Sequence, residues 1–120
     1  MKVTELMIND WVLYREEVLK VTSLYTKRGA NEIGFGESEN FWVDISNIEP
    51  ILLTPEILEK NGWETENFGR RQEWWLDKTK FPIVRYSAND ALQHNGIVLK
   101  YVHQLQHALR LLGIEKEIEL

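Results

Sequence analysis

Thr54-Pro-Glu-Ile-Leu-Glu-Lys-Asn-Gly62 decides what kind of fold this chain adopts. A threonine just ahead of a helix caps it by accepting from a free N–H, and proline suits the first helical position. Glu56 and Glu59 favour the positive N-terminal end, and Asn61-Gly62 supplies a left-handed stop. The stretch therefore predicts a short helix, set between two regions that read as strands. That arrangement is α+β.

Ahead of the helix, Asp10-Trp-Val-Leu-Tyr14 is brief and apolar, and the β-branched run from Val18 to Tyr25 suits a strand. Lys27-Arg-Gly-Ala-Asn31 carries turn chemistry, and the glycines of Glu32-Ile-Gly-Phe-Gly36 mark a bulge or a close backbone approach. In Phe41-Trp-Val-Asp-Ile45, Phe41, Val43 and Ile45 share one face while Trp42 and Asp44 share the other. Short strands at this cadence over residues 1–53 predict a small N-terminal antiparallel sheet or a Src-homology-3-like barrel. Such barrels host unrelated functions, so the architecture alone assigns none.

Behind the helix, residues 54–120 read as two further strands, Glu73–Asp77 and Pro82–Tyr86, linked by Lys78-Thr-Lys80. Asn95-Gly96 is a turn, and an amphipathic helix is expected from about Leu99 to Leu112, capped by Gly113. The acidic tail Ile114–Leu120 is expected to fray. No Pro/Gly/Ser-rich linker separates the two parts, so 1–120 reads as a single domain.

The chain has 120 residues, 43% hydrophobic and 28% charged, the profile of an ordinary globule. It has no cysteine, which excludes disulfides, thiolate metal sites and cysteine nucleophiles and fits a cytoplasmic setting. No apolar run is long enough for a helical membrane span, and Met-Lys-Val-Thr-Glu-Leu6 does not read as a signal peptide. The net charge of −5 lies in the first half: residues 1–62 hold 6 basic and 11 acidic side chains, residues 63–120 hold 8 of each. Generic binding to nucleic-acid phosphates is disfavoured by that sign.

Two constellations invite chemistry. His103 and His107 stand four apart on the last helix, the spacing that offers two nitrogens to a metal. The helical phase groups Val98, Tyr101, Val102, Leu105, Ala108, Leu109 and Leu112 as the buried stripe. Both histidines then fall on an outer face beside Lys100, Gln104 and Arg110. Gln104 occupies the place where a zinc hydrolase of the His-Glu-x-x-His kind has its general base. A polar outer face is favoured over a metal site, and Leu111 on that face hints at a partner surface.

The second constellation interleaves Trp63, Phe68, Trp74, Trp75, Phe81 and Tyr86 with Arg70, Arg71, Lys78, Lys80 and Arg85. Rings among cations resemble a single-strand nucleic-acid platform. Glu64, Glu66, Glu73 and Asp77 neutralise the segment, so core packing is favoured, with one of the Trp74–Trp75 pair turned inward. A protein-binding surface comes next and nucleic acid last. Gly34-Phe-Gly36 lacks the third glycine of a dinucleotide loop, Gly36-Glu-Ser38 lacks a nucleophile elbow's second glycine, and His94 reads as a loop residue.

Three segments carry a family resemblance: Leu6–Tyr14, Ile48–Trp63 and Lys100–His107. The order of an early strand, an Ile-Glu-Pro-Ile-x-Leu-Thr helix ending in Asn-Gly, and a late Tyr-Val-His-Gln-Leu-Gln is similar to small uncharacterised proteins of gut Bacteroidetes and their phages or mobile elements. The resemblance implies a small cytoplasmic protein of such an element and carries over no activity, cofactor or site residue.

The sequence is read as a non-enzymatic protein-interaction module needing no cofactor, with another protein or a second copy of itself as partner. The expected partner surface is Trp63, Arg70, Arg71, Trp74, Trp75, His103, His107 and Leu111. A nucleic-acid-associated accessory protein using residues 63–86 is the second reading, and a metal-dependent enzyme the third.

Overall fold

The computed structural model describes residues 5–27, 30–35, 42–77 and 80–120. The chain packs as two compact units, Met1–Ile51 and Leu52–Leu120, dividing just ahead of the boundary read at residues 53 and 54. Each unit carries one five-stranded sheet. With two α-helices in the second unit, the protein is α+β and mostly β.

In the N-terminal unit, β1 (Trp11–Tyr14), β2 (Glu17–Lys27), β3 (Ala30–Phe35), β4 (Trp42–Asp44) and β5 (Ile48–Glu49) form an antiparallel sheet ordered β4-β3-β2-β1-β5. A 3-10 turn over Ile45–Asn47 leads from β4 into β5. Val12, Val21 and Ile33 are fully buried, packed with Leu6, Phe35, Val43, Ile45 and Ile48. The alternation in β4 is realised: Val43 and Ile45 point inward while Trp42 and Asp44 are exposed. Phe41 and Gly36 lie outside the described residues, as do Arg28 and Gly29 of the expected turn. At Gly34 a side chain would meet Ser23 Cβ at 3.1 Å and the Trp42 ring at 3.3 Å. Across from it β2 slips register between Val21 and Ser23. Gly34 thus answers both to a bulge and to a close approach.

Asp44 closes the turn after β4 by accepting from the Ser46 N–H at 2.8 Å. That backbone hydrogen bond, aided by the Ser46 side chain, holds the Asp44 carboxyl below its ordinary value. A depressed folded pKa stabilises the fold above the unfolded carboxylate range, and the contribution disappears as pH falls through the folded value. A carbon-detected NMR titration is expected to place the Asp44 midpoint below that of aspartate in an unstructured peptide. A midpoint at or above the peptide value would contradict the bond.

The C-terminal unit opens with α1 (Pro55–Lys60), capped by Thr54 Oγ1, which accepts from Ile57 N at 3.3 Å, and terminated at Gly62 with φ +94°. Strands β6 (Trp63–Asn67), β7 (Arg71–Leu76), β8 (Lys80–Tyr86), β9 (Asn89–His94) and β10 (Ile97–Val98) follow as an antiparallel meander in chain order. Lys78 and Thr79 of the β7–β8 link are outside the described residues. Trp74 is the inward member of its pair, fully buried, and Trp75 is half-buried on the other face.

The last helix, α2 (Val102–Leu111), starts later than the expected Leu99 because residues 99–101 are engaged in sheet-like pairing. Leu99 N donates to Leu92 O, Leu53 N donates to Lys100 O, and Leu52 bridges Tyr101. Gln104 then caps the helix: its Oε1 accepts from Lys100 N at 2.8 Å and Tyr101 N at 3.0 Å. The residue that fails as a general base is thereby explained as a helix start.

The buried arc of α2 is Val102, His103, Leu105, Gln106 and Leu109. It is turned by roughly 70° from the expected stripe, at 100° per residue. The expected stripe included Val98, which belongs to β10, and Leu112, which lies past the last helical residue and is 56% exposed. Neither follows the helix phase, but the offset comes from elsewhere: the expected stripe counts Tyr101 and Ala108, which are only half-buried, and leaves out the polar His103 and Gln106, which are buried. The tail is docked rather than frayed: Ile118 is 2% exposed. Asn61 donates to Glu119 O at 2.8 Å and accepts from Glu119 N at 2.7 Å, taking the place of a neighbouring strand. Among the described residues, no helix is long and apolar enough to cross a membrane.

Candidate functional site

The eight residues expected to form a partner surface separate into buried and exposed sets. Trp63 and Trp74 are buried, as is His103. Trp63 turns inward because its Nε1 donates to Phe81 O at 3.2 Å while the Phe81 ring meets its own edge-on. Trp74 faces Ile83 across β8, and β7 alternation puts it on the core side with Leu76. His103 lies on the buried arc, its ring stacked 5.7 Å from Tyr101. These three are corrected from surface to interior.

The exposed set is not one patch by sequence number. Arg71, Glu73 and Trp75 alternate along β7 and are linked: Trp75 Nε1 donates to Glu73 at 3.2 Å, and Arg71 Nε lies 3.1 Å from the same carboxylate. Leu111 is 87% exposed at the end of α2, and His107 is half-buried. The His103 and His107 rings stand 5.6 Å apart, edge to face. Among the described residues, no group of three or more His, Asp or Glu side chains is placed to hold a metal ion. His94 is structural: its ring stacks 3.9 Å from Phe81, and its Nδ1 lies 2.7 Å from Pro82 O. Because a carbonyl only accepts, Nδ1 carries the proton. The expected loop position is the end of β9, since Asn95-Gly96 provides a two-residue hairpin turn directly after it.

Where the β6–β7 and β8–β9 turns meet, Ser87 N donates to Arg70 O at 2.9 Å and brings three arginines together. Arg70, Arg71 and Arg85 line a polar pocket of about 180 Å³ with Gln72, Tyr86 and Asp90. Arg85 is the ordered member. Its Nη2 donates to Gln72 Oε1 at 2.8 Å, and its guanidinium sits 5.3 Å over the Trp74 ring. Arg71 covers the half-exposed Phe68 ring at 5.0 Å.

Next to that pocket lies a groove of about 450 Å³, and Arg85 and Asp90 line both. Its apolar wall is Leu52, Pro55, Ala91, Leu92, Val98 and Leu99. Leu52 and Val98 are 58% and 49% exposed, and Ile97, beside Val98 on the edge strand β10, is 67% exposed. The pairing of residues 52–53 with 100–101 holds Leu52 at the rim. Sequence reasoning missed this groove because β9 and β10 had not been recognised as strands. The available signal was Asn95-Gly96 followed by Ile-Val, a hairpin signature. No protein-family model, curated protein or solved structure matches the chain.

Proposed function

We propose that this chain is a non-enzymatic interaction module that binds another protein through the apolar groove of its C-terminal unit. The observation that carries the reading is the exposure of Leu52 and Val98 on the wall of one groove, with Ile97 beside them. Large apolar side chains gathered at one place on a small unit mark a surface that gains free energy when covered. The N-terminal unit is read as a Src-homology-3-like small barrel, supported by its strand order and by the 3-10 turn before β5. A cytoplasmic phage or mobile-element accessory protein fits the cysteine-free composition and the family resemblance.

The test is affinity capture of the whole chain from its bacterial host. Val98→Glu is expected to lose the captured partner at least tenfold, while Trp75→Ala and Leu111→Glu keep it. Val98 is half out of the protein, so the substitution is expected to change stability by no more than about 0.5 kcal/mol. Recovery of the same protein by Val98→Glu would sink the reading.

A second reading, association with nucleic acid, is favoured by the clustering of Arg70, Arg71 and Arg85 beside half-exposed Phe68 and Tyr86. Binding of an oligonucleotide should then weaken steeply with salt.

A further inference from the structure

We infer that the arginine pocket receives a carboxylate side chain of an extended peptide whose neighbouring apolar side chain fills the adjoining groove. The inference rests on the proposed protein-binding role and specifies the partner's chemistry.

Arg85 is arranged for this task. A guanidinium offers N–H pairs in a plane that matches a carboxylate, and its cost of ordering is lower when the plane is already fixed. The cation–π contact with Trp74 and the bond to Gln72 hold the Arg85 guanidinium in place. The carboxylate now closest to it is Asp90, whose oxygen stands 3.6 Å away on a side chain that is 93% exposed. Such a solvated pair is weak and readily exchanged for an incoming carboxylate. Arg70, exposed on the adjoining turn, adds a second cation with no ion-pair or hydrogen-bond partner for its guanidinium among the described residues.

Shape and charge favour a peptide over a polyanion. Nucleic acid is tracked by a line of cations, whereas these cations surround about 180 Å³, room for one anionic group. Glu73 on Arg71 and Asp90 at the rim would repel a chain of phosphates. The protein as a whole carries −5. Because Arg85 and Asp90 line both depressions, a carboxylate in one and an apolar group in the other sit within about one to three residues on an extended chain, at ~3.3 Å per residue.

The experiment uses the full chain and three pools of fluorescein-labelled octapeptides. In the first, Asp or Glu precedes Leu or Ile by one to three residues. The second replaces the acids by Asn or Gln, and the third replaces them by Lys. Anisotropy is expected to show binding of the acidic pool, at least tenfold weaker binding of the amide pool, and none of the lysine pool. The Arg85 Nε–H and Trp74 indole N–H signals should shift on titration with the acidic pool. Arg85→Gln should weaken binding at least tenfold. Arg70→Gln, an exposed change that leaves the fold intact, should weaken it about threefold or more.

Absence of acidic-pool binding, equal binding of the amide pool, or insensitivity to both arginine substitutions would overturn the inference. Tighter, salt-sensitive binding of a single-stranded oligonucleotide lost in Arg85→Gln would overturn it in favour of nucleic acid. A captured partner that depends on Val98 but not on Arg85 or Arg70 would leave the protein-binding role standing and remove only this refinement.

Discussion

Trp74→Ala is expected to cost about 3–5 kcal/mol, the range for removing a large aromatic side chain from a packed core. Trp74 is fully buried on β7, an inner strand of the C-terminal sheet, opposite Thr65 and Ile83, and is the largest fully buried side chain among the described residues. Its loss also removes the ring on which Arg85 lies. The expected result in urea, followed by far-UV circular dichroism, is a C-terminal unit unfolded or nearly so in water. Trp74→Phe is the informative companion. The indole Nε1 is buried with no hydrogen-bond partner among the described residues, so phenylalanine removes an uncompensated donor while keeping much of the ring. That exchange is expected to cost about 1 kcal/mol. Equal losses for alanine and phenylalanine would contradict the burial of an unpartnered indole.

Asn61→Ala is expected to cost about 2–4 kcal/mol, because one side chain supplies three bonds and two of their partners belong to the Glu119 backbone. The Asn61 residue is 3% exposed, and a methyl group leaves the Glu119 N–H and carbonyl without it. The tail Ile114–Leu120 should detach, exposing Ile118. Amide exchange at Glu119 should accelerate by at least two orders of magnitude, while exchange in β1–β3 serves as the internal reference. Unchanged protection at Glu119 would show that Ile118 packing alone holds the tail.

The contrast between these two residues shows what the sequence reveals. Thr54 to Gly62 is legible because capping and stop chemistry are local, and the Asn61-Gly62 stop reads from its own residues. That Asn61 also grips Glu119 is invisible, since the two lie 58 positions apart. Strands β2, β3, β4, β7 and β8 carry apolar or β-branched residues and announce themselves. Strands β6, Trp-Glu-Thr-Glu-Asn, and β9, Asn-Asp-Ala-Leu-Gln-His, do not; pairing with β7 and β8 overrides their polar composition. The β1–β2 turn is hidden too, because Arg15 and Glu16 adopt φ of 48° and 67° without the Asn-Gly that usually marks such a turn.

Of the candidate surface, Leu111 is expected on the outer face of its helix and is exposed, while alternation predicts that one of Trp74 and Trp75 turns inward without saying which. The Arg85 cluster depends on two turns meeting across the sheet, which no local pattern encodes, and the groove depends on the pairing of residues 52–53 with 100–101 as well as on the β9–β10 hairpin that Asn95-Gly96 signals. His103 is misplaced because the apolar residues alone define the expected stripe, whereas the buried arc also takes in the polar His103, stacked on Tyr101, and Gln106.

The most direct measurement is photo-crosslinking in the host cell from a benzophenone side chain placed at position 98, with position 115 on the exposed Glu115 as reference. The interaction reading predicts a dominant adduct to one other protein from position 98 and not from position 115, lost when Leu52 is changed to Glu. No protein adduct from position 98, or the same adducts from both positions, would contradict it.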